Sequence, residues 1–141
     1  LYGFGNEEKI DAELKPIATL KTIISQIHEV APNESVGYNR AFTSTNYRTT
    51  ATLPLGHADG IGRQYGNGKA FVTVKGQKAP IIGNVCMDMI MIDVTGIDCK
   101  EGDEVVVFGK NPTAERFAAS AETISYEILT GISQRVKRSF L

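Results

Sequence analysis

Short apolar stretches broken at regular intervals by turn residues run through most of this chain, the pattern of a β-rich domain. Between Leu14 and Val30, Ile17, Leu20, Ile24 and Ile27 fit a helical period as well as a strand. Pro16 and the β-branched run Thr22-Ile23-Ile24 favour the strand. Pro32-Asn33-Glu34-Ser35 reads as a turn, and Thr49 to Leu55 as a second strand ended near Gly56. Gly66-Asn67-Gly68 and Lys75-Gly76-Gln77 punctuate a hairpin with strands over 69–74 and 77–82. Val85 to Val94 is apolar almost throughout, as for a strand covered on both faces. Lys100 to Asp103 predicts a turn and Glu104 to Phe108 a short buried strand. Only Thr113 to Gly131 predicts helix, with Ala114, Phe117, Ala118, Ala121, Ile124, Ile128 and Leu129 on one face and Gly131 as its stop. At the end, Arg135, Lys137 and Arg138 alternate with Val136 and Ser139, which predicts a strand end with a solvated basic face.

Composition narrows the class. A chain of 141 residues is one domain long and can bury an ordinary core. Fifteen basic against sixteen acidic residues give a net charge of −1, which offers no electrostatic case for nucleic acid or an anionic membrane. No apolar run approaches the length of a membrane span. The opening has neither an initiator Met nor a signal-peptide layout, so a piece of a longer protein is expected. Gly3, Gly5 and Asn6 followed by Glu7-Glu8-Lys9 read as a flexible linker, residues 1–13, ahead of a β domain over 14–141. Two cysteines, Cys86 and Cys99, are too few for a disulfide framework, and a reduced, cytoplasmic protein is expected.

The residues able to carry chemistry are few. Tyr38 lies between Gly37 and Asn39, which tolerate unusual backbone angles and let the chain present the phenol outward. By itself it also reads as a tyrosine with a buried ring and a wet hydroxyl. Met87 reads as filler in an apolar strand, whereas Asp88 beside it is a carboxylate that needs a partner. His57 and Asp59 alternate as a metal pair would, but Gly56 and Gly60 make the segment a turn and no third ligand lies near. No metal site is expected. No glycine-rich phosphate cradle precedes a helix.

Three segments in fixed order carry a resemblance. They are Ser35-Val36-Gly37-Tyr38-Asn39-Arg40, Leu55-Gly56-His57-Ala58-Asp59-Gly60 and Ala79-Pro80-Ile81-Ile82-Gly83-Asn84-Val85-Cys86-Met87-Asp88. Together they resemble the C-terminal domain of alanine racemases, and the likeness runs from Leu1-Tyr2-Gly3 to Arg135-Val136-Lys137-Arg138. The resemblance implies a mostly β, barrel- or sandwich-like C-terminal domain with one or two short helices near its end. It implies a pyridoxal 5'-phosphate enzyme that interconverts L- and D-alanine for the bacterial cell wall. In that family the cofactor is bound to a lysine of an N-terminal α/β barrel, which is absent from this chain, and the enzyme is a homodimer. The tyrosine matching Tyr38 is the acid/base on one face of the substrate Cα, and the backbone N–H matching Met87 meets the substrate carboxylate.

Other matches concern the mouth of the site. Arg63 corresponds to an arginine along the substrate path, though alone it reads equally well as a solvated loop charge. His57 and Gln134 stand where many racemases have tyrosines, so this gate departs from the family pattern. Imidazole would add a titration near neutral pH, and glutamine would leave the inner gate looser. Asp88 is expected to support the loop by a structural hydrogen bond. The Phe4-Gly5 opening and His57 also resemble the form in which such a racemase is fused behind a cell-wall peptide ligase. Two other readings remain: a racemase for another amino acid, given His57 and Gln134, and a non-catalytic β-barrel interaction module.

Overall fold

The computed structural model describes residues 15–140. The segment expected to be a linker, 1–13, lies outside them. Among the described residues the chain forms nine strands and two short α-helices. The strands are β1 (Leu20–Ile23), β2 (Gln26–Val30), β3 (Ser35–Val36), β4 (Phe42–Thr43), β5 (Arg48–Leu53), β6 (Phe71–Val74), β7 (Gln77–Ile82), β8 (Ile90–Asp93) and β9 (Glu104–Phe108). The helices are α1 (Ala114–Ala119) and α2 (Ser125–Gly131).

Seven strands make one antiparallel sheet in the order β1-β9-β6-β7-β8-β5-β2, and β3 pairs with β4 alone. β1 and β2 are consecutive in the chain yet lie at opposite edges of that order. Only residues 24 and 25 separate them, and two residues span well under ~10 Å. The sheet must therefore curl until its edges meet. The joint is bonded to both sides: Ile24 N–H donates to the Asp103 carbonyl at 3.0 Å, and Ser25 N–H to the Thr52 carbonyl at 2.9 Å. The one strand expected across Leu14–Val30 is thus two, turned at a buried Ile24 so that each half serves a different edge.

The hairpin forms where the sequence predicts it. Lys75 (φ 47°) and Gly76 (φ 78°) both take left-handed backbone between β6 and β7, as a two-residue hairpin with the natural sheet twist requires. Inside the curl, Leu53, Val72, Ile81, Ile90, Ile92 and Val105 are fully buried. α1 closes one end: Phe117 stacks on Tyr65 at 4.6 Å and tilts against Phe108 at 6.2 Å. Burial pushes the Tyr65 phenol up to about 12, with Glu127 adding to the rise.

Two expectations change here. The helix expected over Thr113–Gly131 is broken, because the Ala118 carbonyl accepts the N–H groups of both Ala121 and Thr123 and Glu122 turns left-handed (φ 59°). Ile124, expected on the buried face, is consequently 59 % exposed. The strand expected over Val85–Val94 begins only at Ile90. Residues 85–89 form a loop because the Cys86 N–H bonds the Met89 carbonyl, and the carbonyls of Cys86 and Met87 are taken by another loop.

Candidate functional site

Four loops gather at one end of the curled sheet. The first carries Tyr38. Gly37 (φ 80°) and Asn39 (φ 60°) adopt left-handed backbone on either side of it, and the ring stands 70 % exposed. Glycine suits the position before it because φ 80° strains any residue with a Cβ; the 2.7 Å contact such a Cβ would make is only with Met91 Cε, the end of a flexible side chain. The Tyr38 carbonyl accepts from Asn84 Nδ2 at 3.2 Å, and Asn84 Oδ1 accepts from Asn67 Nδ2 at 3.1 Å. Tyr38 borders an open hollow of about 410 Å³, whose lining includes His28, Val36, Cys86, Met89 and Met91.

The second loop, Gly56–Gly60, and the third, Val85–Met89, are laid against each other by their backbones. His57 N–H donates to the Cys86 carbonyl and Ala58 N–H to the Met87 carbonyl, both at 2.9 Å. Gly56 permits this approach: a Cβ there would lie 2.5 Å from the Cys86 oxygen and 2.6 Å from the Met87 oxygen. Met87 therefore lies on a loop, 60 % exposed, and not in a buried strand. No group among the described residues accepts its N–H. His57 is exposed at the start of a short 3-10 turn.

The fourth segment is the tail after α2. Ser133 N–H donates to the Asp59 carbonyl at 3.0 Å, which sets Gln134 and Arg135 beside the second loop. Arg135 grips Asp59 with both forks, Nε to Oδ1 at 2.7 Å and Nη2 to Oδ2 at 3.0 Å. Its Nη2 also reaches Asp88 Oδ1 at 2.6 Å. Hydrogen bonding to Arg135 holds the Asp59 carboxyl below the usual aspartate range, aided by the Gly56 N–H and opposed by burial. Both carboxylates in turn hold Arg135 more firmly protonated.

These bonds correct the expected basic strand. Residues 135–140 form none, because Arg135 turns inward to two carboxylates and Arg138 donates to the carbonyls of Ile132, Ser133 and Val136. Arg63 stands exposed at the next 3-10 turn, and neither its side chain nor that of Gln134 makes a hydrogen bond or ion pair among the described residues. Asp59 and Arg135 are the pair that sequence reasoning missed. The signal was available in part: a carboxylate three residues after Gly56 returns to that residue's N–H, at 2.8 Å. Among the described residues, no group of three or more His, Cys, Asp or Glu side chains could hold a metal ion.

Comparison with known proteins bears directly on this face. The family described as alanine racemase, C-terminal domain, matches residues 17–140. The chain belongs to that family. It is 45 % identical to the alanine racemase of Halothermothrix orenii over 147 aligned positions, and 42 % identical to alanine racemase 1 of Clostridium acetobutylicum. These alignments cover 99 % and 100 % of this chain but 38 % of each relative. Among solved structures, the alanine racemase of Bartonella henselae with covalently bound pyridoxal phosphate superposes with a TM-score of 0.92 at 33 % identity, covering 99 % of this chain and 39 % of that one. The Clostridium difficile enzyme in complex with cycloserine gives 0.86 at 40 %, over 96 % of this chain and 37 % of that one. The racemase C-terminal domain thus accounts for the fold, mostly β with two short helices.

Proposed function

We propose that this chain supplies one side of the active site of a pyridoxal-phosphate-dependent alanine racemase, working in the cytoplasm to provide D-alanine for the bacterial cell wall. The other side comes from an N-terminal α/β barrel belonging to the second subunit of a homodimer. The observation that carries the reading is the exposed Tyr38 phenol sharing a loop cluster with the unpartnered Met87 N–H, in a chain of this family.

The donor set suits one flank of a cofactor–substrate pair: a phenol, a backbone amide, the Gln134 carboxamide and the Arg63 guanidinium. It contains no amine to anchor the cofactor, in keeping with a lysine held by the barrel. When bound, pyridoxal 5'-phosphate supplies the electron sink that acidifies the substrate Cα–H. In the proposed site, the Met87 N–H receives the alanine carboxylate and fixes which Cα face meets Tyr38. The Tyr38 oxygen takes the proton from that face, or returns it. His57, Arg63 and Gln134 line the approach and set which amino acids reach it.

The test is Tyr38→Phe in an enzyme that carries this chain as its C-terminal domain. The ring and its packing stay, and the only group able to move a proton on that face goes. Racemisation should fall by a factor on the order of 10²–10⁴, the usual worth of a general acid/base. Cofactor absorption should stay nearly unchanged. Solvent deuterium should still enter the Cα of one alanine enantiomer while exchange into the other collapses. Exchange of both enantiomers at wild-type rates would remove Tyr38 from the mechanism.

A further inference from the structure

Three of the four loops of the site face converge on a single side chain. Arg135 holds Asp59 through two parallel bonds and Asp88 through a third, all between 2.6 and 3.0 Å. The planar guanidinium fork makes such geometry directional, which a lysine ammonium is not. The two partners differ in freedom. Asp59 is 7 % exposed and also bound by the Gly56 N–H, whereas the Asp88 side chain is 63 % exposed. The Asp59–Arg135 pair is thus the fixed part, and Asp88 is drawn onto it.

What lies between these anchors is the Met87 peptide. Its carbonyl is held from behind by the Ala58 N–H, and the residue after it is held by Arg135. We propose that Arg135 is a positioning residue for the substrate carboxylate: by tying Asp88 to Asp59 it holds the Met87 N–H where a carboxylate meets it. This rests on the role given to Met87 above. The charges point the same way. Among the described residues Arg135 is the one cation bonded to two carboxylates, next to a backbone donor that is to receive a third. Without it, two negative charges beside the Met87 peptide lose their shared cation, so carboxylate binding should suffer before proton transfer does.

The test uses an enzyme carrying this chain as its C-terminal domain, with Arg135→Gln, Arg135→Lys and Asp88→Asn. For Arg135→Gln, KM for L- and D-alanine should rise by on the order of tenfold or more, with kcat reduced much less. Arg135→Lys should recover only part of this, since it restores the charge but not the fork. Asp88→Asn leaves the buried pair and hence the fold in place, and should raise KM by a smaller factor. A merely structural latch would instead lower the active fraction, so kcat and thermal stability would drop at constant KM. That pattern in Arg135→Gln overturns the proposal. If Arg135→Gln does not fold, Asp88→Asn decides: an unchanged KM there overturns it equally. Tyr38→Phe, assayed alongside, separates the two claims, because full activity in that variant would sink the assignment of the base while the KM series still judges Arg135.

Discussion

A carboxylate taken out of water destabilises a fold unless its lone pairs are met, and Asp59 is met three times over. Two bonds come from Arg135 and one from the Gly56 N–H. Its carboxyl is held below the ordinary value near 3.8. A depressed acid stabilises the fold above the unfolded-state pKa, and that contribution is lost as pH falls through the folded-state one. Stability measured by denaturant unfolding should therefore decline in acid below about pH 4. In Asp59→Asn the decline should be shallower and the neutral-pH stability lower, because Arg135 loses a charged partner. Some acid sensitivity should persist, since Asp103 is also held low, by the Lys100 N–H and by Lys75. An Asp59→Asn protein with the wild-type pH profile would show that the carboxylate is not a titrating part of the folded state.

At the scale of elements, the loops of the face are set by backbone contacts as much as by side chains. Gly56 has extended angles that any residue adopts, so its need for glycine comes from crowding alone. Gly56→Ala should push the 85–89 loop away, costing about 1–3 kcal/mol of stability and, in an enzyme carrying this chain as its C-terminal domain, raising KM for alanine under the proposed function. Wild-type values of both would mean that the loops are not in register with each other. The same contacts explain what the sequence conveyed and what it did not. The β6–β7 hairpin was legible because Lys75-Gly76 states its own turn, and β9 because its apolar run is short and bounded. The 85–89 loop was not, since Val85, Met87 and Met89 look like strand residues. What keeps them out of the sheet is the N–H groups of His57 and Ala58, some thirty residues earlier. The break in the helix was hidden for a similar reason, because Glu122 carries no mark of its left-handed backbone. The outward presentation of Tyr38 was legible through its neighbours, Gly37 and Asn39. Arg135 was not, because alternation with Val136 imitates an edge strand while its partners lie 76 and 47 residues away.

For the molecule as a whole, the site face is an exposed surface with Tyr38, Met87 and Met89 standing out of it. Such a surface supplies orientation from one side only. The isolated chain should therefore show no visible absorption from covalently bound pyridoxal phosphate and no racemisation of alanine. Turnover by the purified chain alone would mean that the second side of the site is not needed. The curl of the sheet has another consequence. Its seam is a covalent joint two residues long, with one amide bonded to each edge. Each amide is bonded to one edge, but the two-residue joint ties the edges together, so opening either one strains the other. In hydrogen–deuterium exchange, Ile24 and Ser25 should accordingly be among the slowest amides, exchanging only through global opening, although Ser25 itself is exposed. Their exchange free energy should match the unfolding free energy and move with it in every destabilised variant, making these two amides a reporter of the whole fold.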